Sequence, residues 1–303
     1  MADGSLDYLD VEGIKVPICY KQGRGQTLIV NFHGALNRSR RDVPFFIPFF
    51  RRLADVHQVA IADPGLERYG RLPACWYLGW EGGELWKSLG LAIRRFSERV
   101  GCSFRVYTGG SSGGFAALLY GYEDAGSVVV CYNPQTNLLA PVYEQPTSGY
   151  FSAAWPNYKD KAALGQKVPL QLSHLYSNGF PNTVVFLQSA GDAGHLLKQA
   201  IPFLSNLPKE KADDIVINIG FEGMRDHGGS IQRESVRRYV EAASQVGNLC
   251  RGRSAFILDA VYTMELANGR STSKIKKDTP FLREDIRFAD RLAQLQLGDG
   301  NEQ

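Results

Sequence analysis

No stretch of the sequence approaches the roughly 18 uninterrupted apolar residues of a membrane span. Its opening, MADGSLDYLD, carries acidic residues where a secretory leader would carry positive charge ahead of an apolar core. The expectation is a soluble, cytoplasmic protein without a membrane partner. Charge of one sign is also lacking: 34 Lys and Arg stand against 31 Asp and Glu, a net +3 with no basic stripe, which excludes nucleic acid as a main partner. Cysteine is sparse. Cys19, Cys75, Cys102, Cys131 and Cys250 are odd in number and scattered, with no C-x-x-C pair to bind zinc or exchange disulfides. They are read as reduced thiols, Cys102 and Cys131 as small buried fillers beside strands. Repeats and low-complexity segments are missing too, and 303 residues with 44% hydrophobic and 21% charged side chains exclude disorder, collagen and coiled coil.

What is present is alternation. Six runs rich in β-branched and aromatic residues read as strands: Thr27 to Phe32, Gln58 to Ile61, Phe104 to Thr108, Ser127 to Tyr132, Thr183 to Leu187 and Asp214 to Ile219. Most are apolar on both faces. Helix-like segments lie between and after them, around Phe45 to Ala54, Gly83 to Val100, Gly113 to Tyr122, Gly194 to Leu204 and Ser230 to Val246, which predicts an α/β fold on a mainly parallel sheet. Leu6 to Lys21 reads as an edge hairpin turning at Glu12-Gly13. The connection after Tyr132 is far longer than a crossover needs and rich in aromatics and proline, so a lid or small cap is expected over about 136–181. Beyond residue 246 the sheet pattern stops. The extension 247–303 holds an apolar run (Ser254 to Tyr262), a basic run (Arg270, Lys274, Lys276, Lys277) read as a solvated loop, and an amphipathic stretch (Leu282 to Leu297). An interface is the role favoured for it, which would make the protein a homo-oligomer.

The strongest local signal is FRVYTGGSSGGFAALLY, residues 104–120: a buried strand, a glycine turn and a helix. A serine nucleophile on such a turn has a strained backbone and needs neighbours almost free of side chains, while the helix behind it turns its amino end toward developing negative charge. Two frames fit G-x-S-x-G, centred on Ser111 or Ser112. Ser111 is preferred, because Gly109, Gly113 and Gly114 then surround the turn and the Ser112 N–H becomes an oxyanion donor. A phosphate-binding loop fits less well. The following strand ends Cys131-Tyr132-Asn133 rather than on an acid, and Phe115 stands where a P-loop needs lysine.

The partners follow from position. His33-Gly34-Ala35-Leu36 follows the Thr27 strand, from which Ala35 or Leu36 would supply a second oxyanion N–H, with His33 read as a residue pinning the loop. His227 stands in a glycine-bearing loop after the last strand, where an imidazole can act as general base. Asp192 follows the Thr183 strand and would orient that base; it also suits an N-cap of the next helix. Asp226 is too close in sequence to His227 to be the first choice of acid, and Asp63 follows another strand. His195 would line the site or cap the helix. Trp76, Tyr77 and Trp80, with Tyr150 and Trp155 from the lid, are candidates for substrate contact or for plain packing.

With Ser111, Asp192 and His227 in that chain order, each after a strand, residues from about 25 to 246 resemble the α/β-hydrolase superfamily. The resemblance implies an eight-stranded, mostly parallel sheet, the nucleophile after the fifth strand, the oxyanion loop after the third, a cap after the sixth, the acid after the seventh and the base after the eighth. HGAL departs from the HGGG loop of one esterase branch. The implied function is a serine hydrolase of carboxylic esters, taking a small-molecule acyl ester and using neither metal nor cofactor. An acyltransferase with the same triad, or a ligand-binding protein on the same scaffold, are the alternatives.

Overall fold

The computed structural model describes residues 4–221, 227, 231–247, 249 and 252–267. The chain enters on a hairpin, β1 (Ser5–Val11) and β2 (Ile14–Lys21), whose two turn residues, Glu12 and Gly13, take φ of 52° and 86°. Positive φ at both positions gives the turn a twist that matches its strands. Six further strands follow, β3 (Arg24–Phe32), β4 (Val56–Ile61), β5 (Phe104–Gly110), β6 (Val128–Tyr132), β7 (Thr183–Ser189) and β8 (Ile215–Gly220). All eight join one sheet in the order β1-β2-β4-β3-β5-β6-β7-β8. The hairpin pairs antiparallel, and every pairing from β4 to β8 is parallel.

A parallel sheet is covered on both faces, and this one divides its side chains between two cores. Val30, Tyr107, Val129 and Phe186 face one layer, made by α2 (Leu85–Arg99), α3 (Ser112–Tyr122) and the connection between β6 and β7. Ile29, Val106, Val128, Val185 and Val216 face α9 (Arg233–Ser244) and α10 (Arg253–Ala267). α3 is buried from Ser112 to Gly121, which accounts for its apolar sequence all round. The short α1 (Pro64–Arg68) follows β4, and the long connection folds as α4 (Glu144–Ala154), α5 (Lys161–Gly165) and α6 (Ser173–Tyr176).

Three expectations change. In place of a helix over 45–54 there is a single 3-10 turn, Arg51–Leu53. Pro48 has no N–H to donate and disfavours helical backbone at Ile47. Phe49 and Phe50 pack into different clusters, which consecutive residues on extended backbone achieve and helical ones do not. The helix after β7 is also not uniform: α7 (Ala193–His195) runs through a π turn, Leu196–Ala200, into α8 (Ile201–Leu204), just ahead of Pro202 and its missing N–H. The start of the extension belongs to the body of the fold, because Ile257, Ala260 and Val261 of α10 are buried against α9 and the sheet, and Arg238 donates to Glu265 at 2.9 Å. Cys250, the basic run from Arg270 to Lys277 and the Leu282 to Leu297 stretch lie outside the described residues.

The far end of β5 is secured by a buried charge pair. Asp124, after α3, accepts from Arg105 Nη2 and from the Tyr107 hydroxyl, each at 2.9 Å, and its side chain is 3% exposed. Removing one member of such a pair strands the other charge. Asp124→Ala is therefore expected to lose about 3–5 kcal/mol in urea unfolding; a loss under about 1 kcal/mol would show that water reaches Arg105.

Candidate active site

The turn between β5 and α3 is strained. Ser111 has φ 54° and ψ −121°, a region that costs a residue with a side chain about 1–3 kcal/mol and persists only where the surroundings enforce it. Here they do. The Ser111 N–H donates to the Tyr132 carbonyl at 3.2 Å, and its own carbonyl accepts from Gln135 N–H at 3.0 Å and Phe115 N–H at 3.1 Å. A Cβ on Gly109 would meet the Gly113 carbonyl oxygen at 2.3 Å, and one on Gly113 would meet the Phe32 carbonyl oxygen at 2.5 Å, so strand, helix and β3 pass too closely for any larger residue. Of the two serines, Ser111 carries the positive φ and lines the cleft, whereas Ser112 is buried as the first residue of α3.

The segment after β3 is fixed by His33. Its ring is buried between two backbone groups, Nδ1 facing the Gly34 carbonyl at 2.8 Å and Nε2 accepting from Asp63 N–H at 3.3 Å, while its own N–H donates to the Tyr77 hydroxyl at 2.9 Å. Burial lowers its pKa from 6.5 to about 4. Asp63 accepts from Gly65 N–H at 3.0 Å and Tyr77 N–H at 2.9 Å, and burial raises its carboxyl to about 6. These contacts bring Gly34 against the elbow, its Cβ position 3.6 Å from that of Ser111. The expected choice between Ala35 and Leu36 as donor resolves against Leu36, because its N–H is spent on the Pro73 carbonyl at 2.8 Å; Ala35 lines the cleft.

Asp192 and His227 meet across the carboxyl ends of β7 and β8, with His227 Nδ1 2.5 Å from Asp192 Oδ2. Asp192 is also the N-cap of α7, accepting from the His195 N–H at 3.2 Å, as its place in the sequence suggested. A second imidazole joins them. His195 Nδ1 lies 3.1 Å from Asp192 Oδ1, and its ring stacks on that of His227. Burial opposes the charge on Asp192, but the hydrogen bonds from His195 and His227 outweigh it and hold the carboxyl well below the usual carboxylate range. These three side chains have metal-ligand chemistry, with donor atoms within 4.8 Å of one another. Two ligands on one ion, at bonds of about 2.0–2.1 Å, sit about 3.3 Å apart in a tetrahedral site, so the 2.5 Å contact is that of a hydrogen bond.

Comparison with known proteins gives a fold and no sequence kin: no protein-family model matches the chain, and no curated protein matches it. Among solved structures, the chain is similar to an acylaminoacyl peptidase of Pyrococcus horikoshii, at 14% identity and a TM-score of 0.54 over 96% of this chain and 44% of that one. It is also similar to an S-formylglutathione hydrolase from Agrobacterium tumefaciens, at 13% identity and a TM-score of 0.56 over 80% of this chain and 93% of that one. A puromycin-hydrolyzing peptidase of Mycobacterium tuberculosis aligns at 14% identity and 0.53, over 82% and 40%. The chain has the α/β-hydrolase fold. It spans less than half the length of the two peptidases.

In this α/β-hydrolase fold the site opens as a cleft of about 290 Å³, whose lining includes Ala35, Trp76, Ser111 and His227. Tyr143, Asn133 and Gln135 line it too, and sequence reasoning did not single them out. Trp76 donates to Gln135 Oε1 at 2.5 Å and, like Ser111, has a positive φ, 51°. The other expected substrate contacts are corrected. Tyr77 is a buried strut under the loop, Tyr150 donates to the Gly79 carbonyl at 2.6 Å, Trp155 is buried, and Trp80 lies under the Arg68 guanidinium. His195 is fully buried behind His227 rather than in the cleft.

A pH dependence follows from His33. Its folded-state pKa is depressed, so the unfolded chain binds the extra proton first, and stability falls as pH drops from about 6.5 toward 4. Unfolding at pH 4.5 against pH 7.5 should show about 2–3 kcal/mol more loss in the wild type than in His33→Gln, which cannot titrate. Equal losses would mean that His33 is protonated in the folded loop.

Proposed function

We propose that this protein is a serine hydrolase that cleaves a carboxylic ester through an acyl-enzyme on Ser111. The observation that carries the reading is the 2.5 Å Asp192–His227 hydrogen bond, converging with the strained Ser111 on one cleft. In the first half-reaction Ser111 Oγ attacks the ester carbonyl as His227 takes its proton, and the N–H groups of Ser112 and Ala35 receive the oxyanion. Collapse expels the alcohol, which leaves with the proton from His227. Water then repeats the sequence, releasing the acid and restoring Ser111. Asp192 accepts from Nδ1 throughout, fixing the tautomer whose Nε2 is basic and stabilising the imidazolium.

Two further facts support the reading. The solved structures of the same fold are named as peptidases and a hydrolase. The cleft is small, and besides His227 the described residues of its lining carry uncharged side chains such as Trp76, Asn133, Gln135, Tyr143 and Ile231, which suits a compact, neutral acyl ester.

The intact mass after exposure to a small fluorophosphonate tests the nucleophile directly. One adduct is expected on the wild type and on Ser112→Ala, and none on Ser111→Ala; an adduct that survives in Ser111→Ala would move the reaction to another residue. With a short-chain aryl ester, His227→Ala is expected to lower kcat by at least about 10³-fold while the unfolding midpoint stays close to wild type. Alcohol added as a competing acceptor separates hydrolysis, which leaves the acid as main product, from acyl transfer, which diverts it into a new ester.

A further inference from the structure

A serine relay needs one imidazole on its carboxylate, and Asp192 holds two. His195 from α7 and His227 from the loop after β8 both face it: His195 Nδ1 lies between the two oxygens, 3.1 Å from Oδ1 and 3.0 Å from Oδ2, and His227 Nδ1 lies 2.5 Å from Oδ2. Their rings lie face to face, with centroids 3.9 Å apart and planes 10° from parallel. The surroundings of the two differ. His227 is 23% exposed in the cleft, whereas His195 is fully buried and its Nε2 has no hydrogen-bond partner among the described residues. A proton on that Nε2 would be a buried donor without an acceptor and a positive charge stacked on the ring that must itself become charged. The His195 ring is therefore neutral, with its single proton on Nδ1.

We propose that His195 is a positioning residue for His227: its ring face fixes the plane of the imidazole, and its N–H takes up part of the accepting capacity of the Asp192 carboxylate. This rests on the proposed roles of Ser111, Asp192 and His227. Two effects follow, one for each half of the arrangement. An imidazole held by a single hydrogen bond turns about that bond, and a parallel ring at 3.9 Å removes this freedom, so the plane of the His227 ring is held. A carboxylate that accepts from two imidazoles is a weaker base than one that accepts from a single ring, so the His227 imidazolium is held less tightly and activity extends to lower pH. Among the described residues, the titratable groups facing the stacked pair are Asp192 and, from the β6–β7 connection, Tyr143, whose ring centroid is 5.8 Å from His195 and 6.2 Å from His227. Burial lowers the basicity of His195, Asp192 opposes that, and charge on His227 adds to it.

Two substitutions separate the effects. His195→Phe keeps a flat ring and loses the donor; His195→Asn keeps a donor near the position of Nδ1 and loses the ring. For His195→Phe, kcat is expected within about threefold of wild type, with the acid limb of kcat/KM moved up by about half a pH unit or more. For His195→Asn the limb should stay in place while kcat falls about tenfold or more. Nitrogen-15 NMR of the histidine rings supplies a readout without turnover. In the wild type, His195 should remain Nδ1-protonated and neutral at pH values where a free imidazole is charged, and the His227 resonances should titrate at higher pH in His195→Phe than in the wild type. A wild-type His195 that takes up a second proton as readily as a free imidazole, or two folded variants with wild-type kcat and acid limb, would overturn the proposal. If the wild type neither reacts with a fluorophosphonate nor cleaves esters, and the NMR titrations behave as stated, the serine reading falls while the coupling of the two rings stands.

Discussion

The carboxylate of Asp192 is the point on which the site depends. It caps α7 through the His195 N–H and faces Nδ1 of both His195 and His227. A carboxylate buried this deeply stays charged only when donors surround it, and three N–H groups do so here. The helix that Asp192 caps also carries one of its imidazole donors, so the start of α7 and the orientation of His227 are set by the same side chain. Losing this charge would expose two rings and a helix terminus to rearrangement together.

The strain at Ser111 is sustained by the same economy. The elbow is held from three directions: Tyr132 and Gln135 bond it from the β6 end, α3 closes behind it through Phe115, and β3 presses against Gly113. None of these contacts involves the serine hydroxyl, and Ser111 lines the cleft. The loop after β3 is secured independently through His33, Asp63 and Tyr77. His33 and Asp63 are both buried, and burial pushes each toward its neutral form, His33 down to about 4 and Asp63 up to about 6. At neutral pH His33 is therefore uncharged, while Asp63 keeps most of its negative charge and meets it with the N–H groups of Gly65 and Tyr77.

Much of this was legible in the chain. Strands apolar on both faces, alternating with helices, require a parallel sheet, and GGSSGG between a buried strand and an apolar helix has few structural explanations. Asp192 was legible because an N-cap and an orienting acid need the same residue type in the same place. Aromatics were harder to read. Tyr77, Tyr150 and Trp155 carry the composition of a substrate pocket, but their hydroxyl and ring contacts are internal, and only the tertiary arrangement separates a strut from a wall. Tyr143 and Gln135 stand at the cleft without any local pattern to mark them. The stacking of His195 on His227 joins residues 195 and 227 across two loops, which no spacing rule anticipates.

In the proposed reaction the net charge of the site does not change. Asp192 is anionic at rest; at the tetrahedral stage the oxyanion and the imidazolium cancel, so the total remains that of one carboxylate. What changes is the direction of the dipole across the cleft. A site of that kind gains little from a resident cation, which would bind the resting state as strongly as the transition state. It gains from oriented dipoles that meet charge only where it develops: the amino end of α3, the Ser112 N–H and the N–H of Ala35. Side chains such as Trp76, Asn133, Gln135 and Tyr143, uncharged and beside His227, give those dipoles a weakly screening environment. Holding His195 neutral serves the same end, since a second imidazolium would add a fixed charge to a site whose work is the reversal of a dipole.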